Sequence, residues 1–308
     1  MNPVKLALVG IGKIARDQHV PHIAESDAFE LAAAVTHHAP PEGVPGYATI
    51  AAMKAAHPEV TAVSICTPPL GRLAVVAEAL ALGLDVMVEK PPAATMSEAE
   101  AFVELAETAG QVLFTTWHSR EAAAVEPAKA WLKGKAIRGV TTHWKEDVRV
   151  WHPGQAWIWE PGIGVFDPGV NALSVLTAIL PAPVLVRGAE LRVPENKHAP
   201  IAADLDMVCG DGIPMRTEFD FDQTGPQTWD IEIDTDAGQL RLTHGASRLF
   251  IDGTEQTVPD DPEYRRLYRR FADLLKARRS DTDLSPFRLT ADAFLLARRR
   301  TVAPFMDF

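Results

Sequence analysis

Short apolar runs alternate with amphipathic stretches over the first 116 residues. Five of these runs predict buried strands, over 4–9, 30–36, 60–67, 85–88 and 111–116. The stretches between them have helical spacing, most clearly over 73–82 and 97–110, and another helix is predicted to begin at Lys13. Strands that alternate with helices in this way are typical of βαβ units and a parallel sheet.

The pattern changes after about residue 120, where strand-like segments follow one another at shorter distances. These segments span 139–150, 183–193, 202–209, 214–222, 228–234, 239–243 and 247–251, and helices are predicted over 262–279 and 288–300. We therefore predict two domains, an α/β domain over 1–119 and an α+β domain over 120–308. The second is expected to have an open, mostly antiparallel sheet. Its C-terminal helix can pack back on the first domain.

Composition narrows the class of protein. The chain has 308 residues, 47% of them hydrophobic, and a formal net charge of −11, which argues against nucleic acid as the main partner. The arginines of 265–270 and 298–300 are interpreted as solvated helix faces. No apolar run reaches the ~20 residues of a membrane span, and no leader is recognisable. With only Cys66 and Cys209, no disulfide framework is expected, and a cytoplasmic location fits.

A glycine-rich turn follows the first predicted strand. Its sequence, Gly10-Ile11-Gly12-Lys13-Ile14-Ala15, is a G-x-G-x-x-A pattern between a strand and a helix. Gly10 permits the tight turn, Gly12 lets the backbone approach a pyrophosphate, and the start of the helix favours anions. We therefore predict a Rossmann dinucleotide-binding domain, with Gly10, Ile11, Gly12, Lys13 and Ile14 at the cofactor.

The end of the second strand bears on the choice of cofactor. An acidic residue there favours NAD, and a cation favours the 2′-phosphate of NADP. Here Thr36 and His37 follow the strand, and no acid appears before Glu42. The sequence therefore predicts NADP or NAD, and dual use is open.

Three further segments lie at the ends of predicted strands, where open parallel sheets bind their ligands. They are Cys66-Thr67-Pro68, Glu89-Lys90 and Thr116-Trp117-His118. Pro91 favours an extended Lys90. A lysine beside an oxidised nicotinamide experiences a like charge and partial desolvation, and both favour the neutral amine that accepts a proton. Cys66, Thr67, Pro68, Glu89 and Lys90 are thus predicted at the cofactor, with Lys90 also catalytic.

The G-I-G-K-I-A, C-T-P-P and E-K-P-P segments together resemble the family of glucose–fructose oxidoreductase and inositol dehydrogenase (Gfo/Idh/MocA). The resemblance covers the whole chain and implies a Rossmann domain followed by an open α+β substrate domain. It also implies that Lys90 lies in the active site. The family motif of Asp followed four residues later by His appears here as Asp167 and Asn171. An asparagine cannot relay a proton near neutral pH, so Asp167 shares the proton transfer with Lys90. Which of the two is the base stays open.

A branch of this family that oxidises L-arabinose and D-galactose at C1 is the most similar, through 10–19, 116–120 and the block from Trp144 to Asn171. The resemblance implies NAD(P)-dependent oxidation of an aldose to its lactone. It implies five sugar contacts, at His118, Glu146, His152, Asn171 and Trp229. Two alternatives remain: a catalytically silent sugar sensor, and a dehydrogenase of an inositol or a diol.

Two expectations concern metals and partners. The histidines and carboxylates match no compact metal-ligand spacing, so no metal is expected. The predicted partner is a small sugar. An open sheet in the second domain is expected to leave an apolar face to cover, so a homodimer is expected.

Overall fold

The computed structural model describes residues 2–306. The chain forms two compact units. The first contains the residues up to His118 together with Pro262–Leu284, and the second contains Ser119–Asp261 and the residues from Ser285 onward. The segment 262–284, which the sequence pattern assigned to the second domain, therefore belongs to the first unit.

The first unit is built on a six-stranded sheet in which every neighbouring pair is parallel. Its strands are β1 Val4–Val9, β2 Phe29–Val35, β3 Gly46–Tyr47, β4 Ala62–Ile65, β5 Asp85–Val88 and β6 Leu113–Thr115. Their order is β3-β2-β1-β4-β5-β6, so the direction of winding reverses between β1 and β4. The carboxyl ends of strands at such a reversal form the ligand crevice of doubly wound sheets. The predicted Rossmann domain is confirmed.

Helices pack against this sheet. A helical segment begins with a π-turn at Ala15–His19, and the α-helices are α1 Val20–Ala24, α2 Ile50–Ala56, α3 Arg72–Ala81 and α4 Met96–Ala109. Near the end of the chain, Glu263–Ala277 forms a further helix that returns to this unit. It buries Tyr264, Leu267, Tyr268 and Phe271 in the core that contains Leu6, Phe29 and Phe114. Their spacing of three and four residues gives this helix one apolar face.

The second unit is built on a nine-stranded sheet. Its strands are β7 Ile137–Lys145, β8 Val184–Pro194, β9 Ala202–Cys209, β10 Ile213–Asp220, β11 Thr228–Thr235, β12 Gly238–Thr243, β13 Arg248–Ile251, β14 Thr254–Gln256 and β15 Ala297–Val302. The order is β14-β13-β12-β11-β7-β10-β9-β8-β15, and only the β7–β10 and β8–β15 pairs of these strands are parallel. The prediction of an open, mostly antiparallel sheet is confirmed.

Helices α5 Val125–Leu132, α6 Val148–Trp151 and α7 Phe166–Ile179, followed after the returning helix (α8) by α9 Ser285–Leu296, complete the second unit. A 3₁₀ turn at Ala156–Trp159 precedes α7. Helix α7 lies against the sheet closely enough that a Cβ at Gly169 would come within 2.7 Å of the Phe219 ring. A glycine is therefore required on this face of α7, next to Asp167.

Two predicted element boundaries are wrong. The strand predicted over 139–150 ends at Lys145, because the Asp147 side chain accepts the amide of Arg149 at 3.0 Å and starts a helical turn. The helix predicted over 288–300 ends at Leu296, and residues 297–302 form an edge strand beside β8. Arg298, Arg299 and Arg300 are exposed on this strand, not on a helix. Charged side chains on an edge strand oppose further strand pairing.

The expectation of an apolar open face on the second sheet is also wrong. Alternate positions of its strands carry ion pairs, including Lys145–Glu218, Arg216–Asp206 and Arg241–Asp230. A charged sheet face is stable in contact with water and does not have to be covered by a second subunit. The homodimer therefore loses the support that an apolar face would have given it. In the described part of the chain, no helix has the length and hydrophobicity to cross a membrane.

Candidate functional site

The glycine-rich turn after β1 is shaped by the segment that follows β4. Gly10 has a φ of +87°, and a Cβ there would lie 2.9 Å from Thr67 Cγ2 and 3.2 Å from the Cys66 carbonyl carbon. At Gly12, by contrast, a Cβ would meet no described atom within 4 Å. The first glycine thus allows close packing within the protein, whereas the second leaves open space over its backbone. Such space beside the start of a helix fits the pyrophosphate of a dinucleotide.

The remaining residues of the turn support this arrangement. Ile11 and Ala15 are buried in the core, and the Lys13 ammonium pairs with Asp17 one helical turn away. These contacts fix the turn and leave the Gly12 backbone as the part that faces open space.

The loop after β2 contains the predicted determinants of cofactor choice. The Thr36 hydroxyl accepts the backbone amide of His38 at 2.9 Å, and His37 is exposed. Arg16 reaches this loop from the first helical segment and donates to the Ala39 carbonyl at 2.6 Å. Sequence reasoning did not single out Arg16, because it lies in a different element. The loop therefore has a cation beside it, which is compatible with a 2′-phosphate as well as with a ribose hydroxyl.

Glu89, which directly follows β5, is 4% exposed. Its Oε1 accepts His19 Nε2 at 3.0 Å and the Tyr264 hydroxyl at 2.8 Å. Its Oε2 accepts the backbone amide of Lys90 at 2.9 Å. Both carboxylate oxygens are thus bonded within the first unit, and one of them holds the backbone of Lys90.

The charges of this buried group favour an ion pair. Burial alone would raise the pKa of Glu89, but the hydrogen bond and the charge of His19 outweigh burial and lower the pKa to about 2. Burial lowers the pKa of His19, yet interactions with Cys66, Tyr268 and Glu89 raise it well above its usual value. An anionic Glu89 beside a protonated His19 is the state that these contacts stabilise.

His118 is oriented by the returning helix α8. Its Nδ1 lies 2.7 Å from Glu263 Oε2, and its ring stacks on Tyr264 with 5.5 Å between ring centroids. These partners lie about 145 residues away in sequence, and no local pattern marked them. The Glu263 carboxylate fixes the tautomer and the orientation of the imidazole. A side chain that binds a sugar hydroxyl or transfers a proton has to be held in this way.

In the second unit, three of the predicted sugar contacts and Asp167 form one cluster. Glu146 lies immediately after β7, is 2% exposed, and accepts the Trp229 indole N–H at 2.9 Å through Oε2. Its Oε1 lies 3.1 Å from His152 Nε2. Asp167 Oδ2, in the first turn of α7, lies 3.9 Å from the same imidazole nitrogen. A strand end, a loop and a helix start thus bring two carboxylates, an imidazole and an indole together.

Tryptophans surround this cluster. The Trp229 ring stacks on Trp144 with 5.9 Å between centroids and meets Trp151 at 4.8 Å. Trp144 is buried in the core, whereas Trp151 is 40% exposed. The group of stacked tryptophans is therefore buried in the core at Trp144 and exposed to solvent at Trp151. Asn171 lies one turn after Asp167 on α7 and is half-buried.

Carboxylate, imidazole and indole groups suit a polyhydroxylated ligand, since they bind hydroxyl groups and pack against C–H faces. Within residues 2–306, no group of three or more His, Cys, Asp or Glu side chains is arranged to hold a metal ion.

Comparison with known proteins gives consistent results. Residues 4–116 match the GFO_IDH_MocA family, described as an oxidoreductase family with an NAD-binding Rossmann fold. The galactose 1-dehydrogenase of Pseudomonas fluorescens is 45% identical over 307 residues, which cover 100% of both chains. The crystal structure of a D-galactose-1-dehydrogenase protein from Rhizobium etli superposes with a TM-score of 0.95 at 51% identity, covering 99% of both chains.

A more distant solved structure shares the fold. KijD10, a 3-ketoreductase from Actinomadura kijaniata in complex with NADP and TDP-benzene, has a TM-score of 0.85 at 17% identity, covering 98% of this chain and 100% of its own. At this identity the likeness concerns the fold alone.

Proposed function

Because the chain belongs to the Gfo/Idh/MocA oxidoreductase family, we propose that it oxidises an aldose of the D-galactose or L-arabinose type at C1. The products are the sugar lactone, the reduced nicotinamide and one proton. The observation that carries the choice of substrate is the cluster of His152 and Trp229 on the buried Glu146 carboxylate, with Asp167 beside it. A galactose 1-dehydrogenase that aligns over the full length supports the same choice.

Lys90 accepts the proton of the anomeric hydroxyl. Its backbone is held by Glu89 directly after a buried strand, so its side chain starts from a fixed point. Held by the turn of Gly10 to Ile14, NAD or NADP would supply the hydride acceptor for C1. Asp167 orients the sugar or shares the proton transfer, and loss of the proton to solvent returns the Lys90 amine for the next turnover.

Glu146, His152 and His118 bind sugar hydroxyls, and Asn171 donates or accepts a hydrogen bond in place of a histidine. Trp229 holds Glu146 through its indole N–H. The cofactor contacts are the turn of Gly10, Ile11, Gly12, Lys13 and Ile14, the loop of Thr36 and His37, and the segment Cys66-Thr67-Pro68. We place the enzyme in the cytoplasm, which agrees with two free, buried cysteines.

Substitution of Lys90 by Met tests this function. We expect Lys90→Met to abolish turnover while reduced cofactor still binds, because the methionine retains the packing but cannot accept a proton. The assay follows absorbance of the reduced nicotinamide with NAD and with NADP, against aldoses, inositols and simple diols.

The matched control is Lys5→Met, which removes a lysine at the opposite end of the same sheet, where it pairs with Glu30. This variant is expected to keep normal turnover. Near-normal activity of Lys90→Met would refute the role of Lys90. Turnover of an inositol but of no aldose, or tight cofactor binding without turnover of any compound, would refute the proposed reaction.

A further inference from the structure

An arginine lies buried behind the segment that carries Lys90. Arg72, the first residue of α3, is 2% exposed. Its Nη1 donates to the carbonyls of Glu89, Pro91 and Pro92, the last at 3.1 Å, and its Nη2 donates to the carbonyl of Thr67. One guanidinium thus binds four backbone carbonyls of two separate segments.

These two segments share an unusual lack of donors. Each contains a pair of prolines, Pro68-Pro69 after β4 and Pro91-Pro92 after β5, and proline has no backbone N–H. Buried carbonyls in such segments need donors from elsewhere, because an unpaired buried carbonyl is costly. The planar guanidinium carries five N–H donors in a fixed geometry and keeps its charge at any working pH. It therefore serves as a common donor for both proline-containing segments, at Thr67 in one and at Glu89, Pro91 and Pro92 in the other.

The accepting carbonyls lie on both sides of Lys90. Those of Glu89 and Pro91 belong to its two neighbours in the chain, and the amide of Lys90 itself is bound by the Glu89 carboxylate at 2.9 Å. The backbone of Lys90 is thus fixed before, at and after the residue. The Thr67 carbonyl ties this short stretch to the segment that packs against Gly10.

We propose that Arg72 is a positioning residue for Lys90, and that it sets the reach of the Lys90 amine by fixing the backbone on both sides of it. This inference rests on the proposed function, in which Lys90 accepts the proton. Without the guanidinium, the carbonyls of Glu89, Pro91 and Pro92 lose this hydrogen-bond donor, and the backbone segment that contains Lys90 can shift. A displacement of about 1 Å at a reacting group can reduce the rate roughly 100-fold.

Three variants test this role. Arg72→Met keeps much of the volume and removes every donor, and its kcat is expected to fall roughly 10- to 100-fold. Arg72→Lys keeps the charge and a donor but not the planar fork, and it is expected to recover part of the loss. The control is Arg278→Met. Arg278 binds the Asp85 carboxylate and the Gly110 carbonyl at the other end of β5, so its loss is expected to leave kcat unchanged.

Two further readouts separate positioning from a general loss of stability. Trinitrobenzenesulfonate labels lysine amines, and the rate and pH dependence of Lys90 labelling are followed by peptide mass spectrometry, with Lys5 as internal reference. We expect Arg72→Met to change Lys90 labelling and Arg278→Met to leave it as in the wild type. In Arg72→Ala, millimolar guanidinium is expected to restore kcat, whereas urea at the same concentration is not.

Unchanged Lys90 labelling and unchanged kcat in Arg72→Met would overturn the proposal. So would equal losses of kcat in Arg72→Met and Arg278→Met, or the absence of rescue by both Arg72→Lys and guanidinium. Failure of the proposed function has a different signature, namely normal turnover in Lys90→Met, whereas the labelling of Lys90 reports its position whether or not it is the base.

Discussion

Replacement of Glu146 by Gln perturbs the polar cluster of the second unit at one atom. The Glu146 carboxylate accepts two donors, the Trp229 indole N–H at 2.9 Å and His152 Nε2 at 3.1 Å. A glutamine has one oxygen and one NH₂ group, so it can accept only one of these donors. The indole always donates, so the amide oxygen is expected to face Trp229 and the NH₂ group to face His152.

The cost of this change is set by the imidazole. To accept from the glutamine NH₂, His152 must move its proton from Nε2 to Nδ1, and Nδ1 is buried without a hydrogen-bond partner in the described part of the chain. A buried donor left unpaired costs about 1–3 kcal/mol. In a unit of this size, that corresponds to a decrease in Tm of roughly 2–12 °C.

The assay is thermal unfolding followed by circular dichroism, together with kcat/KM for the sugar. The matched control is Glu218→Gln, in which the same substitution removes a 46% exposed partner of Lys145, and such surface pairs contribute only about 0–1 kcal/mol. We expect Glu146→Gln to lose about tenfold or more in kcat/KM, since a hydrogen bond to a charged group contributes about 1.5–3 kcal/mol. Equal Tm values for the two variants, with unchanged sugar kinetics, would refute this reasoning.

Two further outcomes are expected in the first unit. Gly10→Ala should lower Tm, because a left-handed φ costs an L-residue about 1–2 kcal/mol and its Cβ would lie 2.9 Å from Thr67 Cγ2. Gly12→Ala should leave Tm unchanged and weaken binding of reduced cofactor in a fluorescence titration; a stable Gly10→Ala, or a Gly12→Ala that binds normally, would contradict the two assignments. The second outcome concerns pH. The pKa of Glu89 falls from 4.5 to about 2 on folding, so its stabilisation is complete above about pH 4.5 and is lost as the pH falls toward 2. The raised pKa of His19 acts in the opposite sense: its contribution is complete below about pH 6.5 and is lost as the pH rises through its folded value. Acid melts should therefore show a steeper loss of Tm for the wild type than for Glu89→Gln, and parallel curves would argue against the buried ion pair.

The sequence predicted the parallel sheet well because its strands are buried on both faces. Such strands appear as continuous apolar runs, and the runs at 4–9 and 85–88 coincide with β1 and β5. The position of Lys90 followed directly, since it comes next to a well-defined strand end and before a proline. Residues that follow strand ends of a parallel sheet are the most predictable part of such a site.

Partners supplied by remote elements were not predictable. His118, Glu89 and His19 bind Glu263, Tyr264 and Tyr268, which lie 145 to 249 residues away on α8. The spacing of that helix predicts a buried face but not the sheet against which it packs. Arg72 was missed for a related reason, because an arginine at the start of a helix is normally exposed, and only the tertiary structure shows the carbonyls that it binds.

The strand predicted over 139–150 ends earlier than predicted, and this earlier end matters for the polar cluster of the second unit. Lys145, Glu146 and Asp147 interrupt the alternation, but Val148 and Val150 resume it in the same phase, so the pattern favoured a longer strand. The Asp147 cap ends it, and this turn places Glu146 at the end of the sheet, within reach of His152. Local capping chemistry therefore decided the position of a predicted sugar contact, and the cap competes with a strand pattern that is stronger in sequence.

Each unit holds one buried carboxylate between an imidazole and an aromatic donor, but the two groups differ in what else they contact. Glu89 binds His19, Tyr264 and the Lys90 amide, and burial together with Glu89 raises the pKa of Tyr264 well above 10, so that the phenol stays a donor. This arrangement leaves neither oxygen without a protein donor, and it acts as a fixed support. In the second unit, the imidazole nitrogen that binds Glu146 also lies 3.9 Å from Asp167. Nε2 of His152 is thus within hydrogen-bond distance of Glu146 and is near Asp167 without being hydrogen-bonded to it. If the proposed sugar binds there, a hydroxyl can donate to Asp167 while His152 keeps its bond to Glu146, so that both carboxylates have a donor.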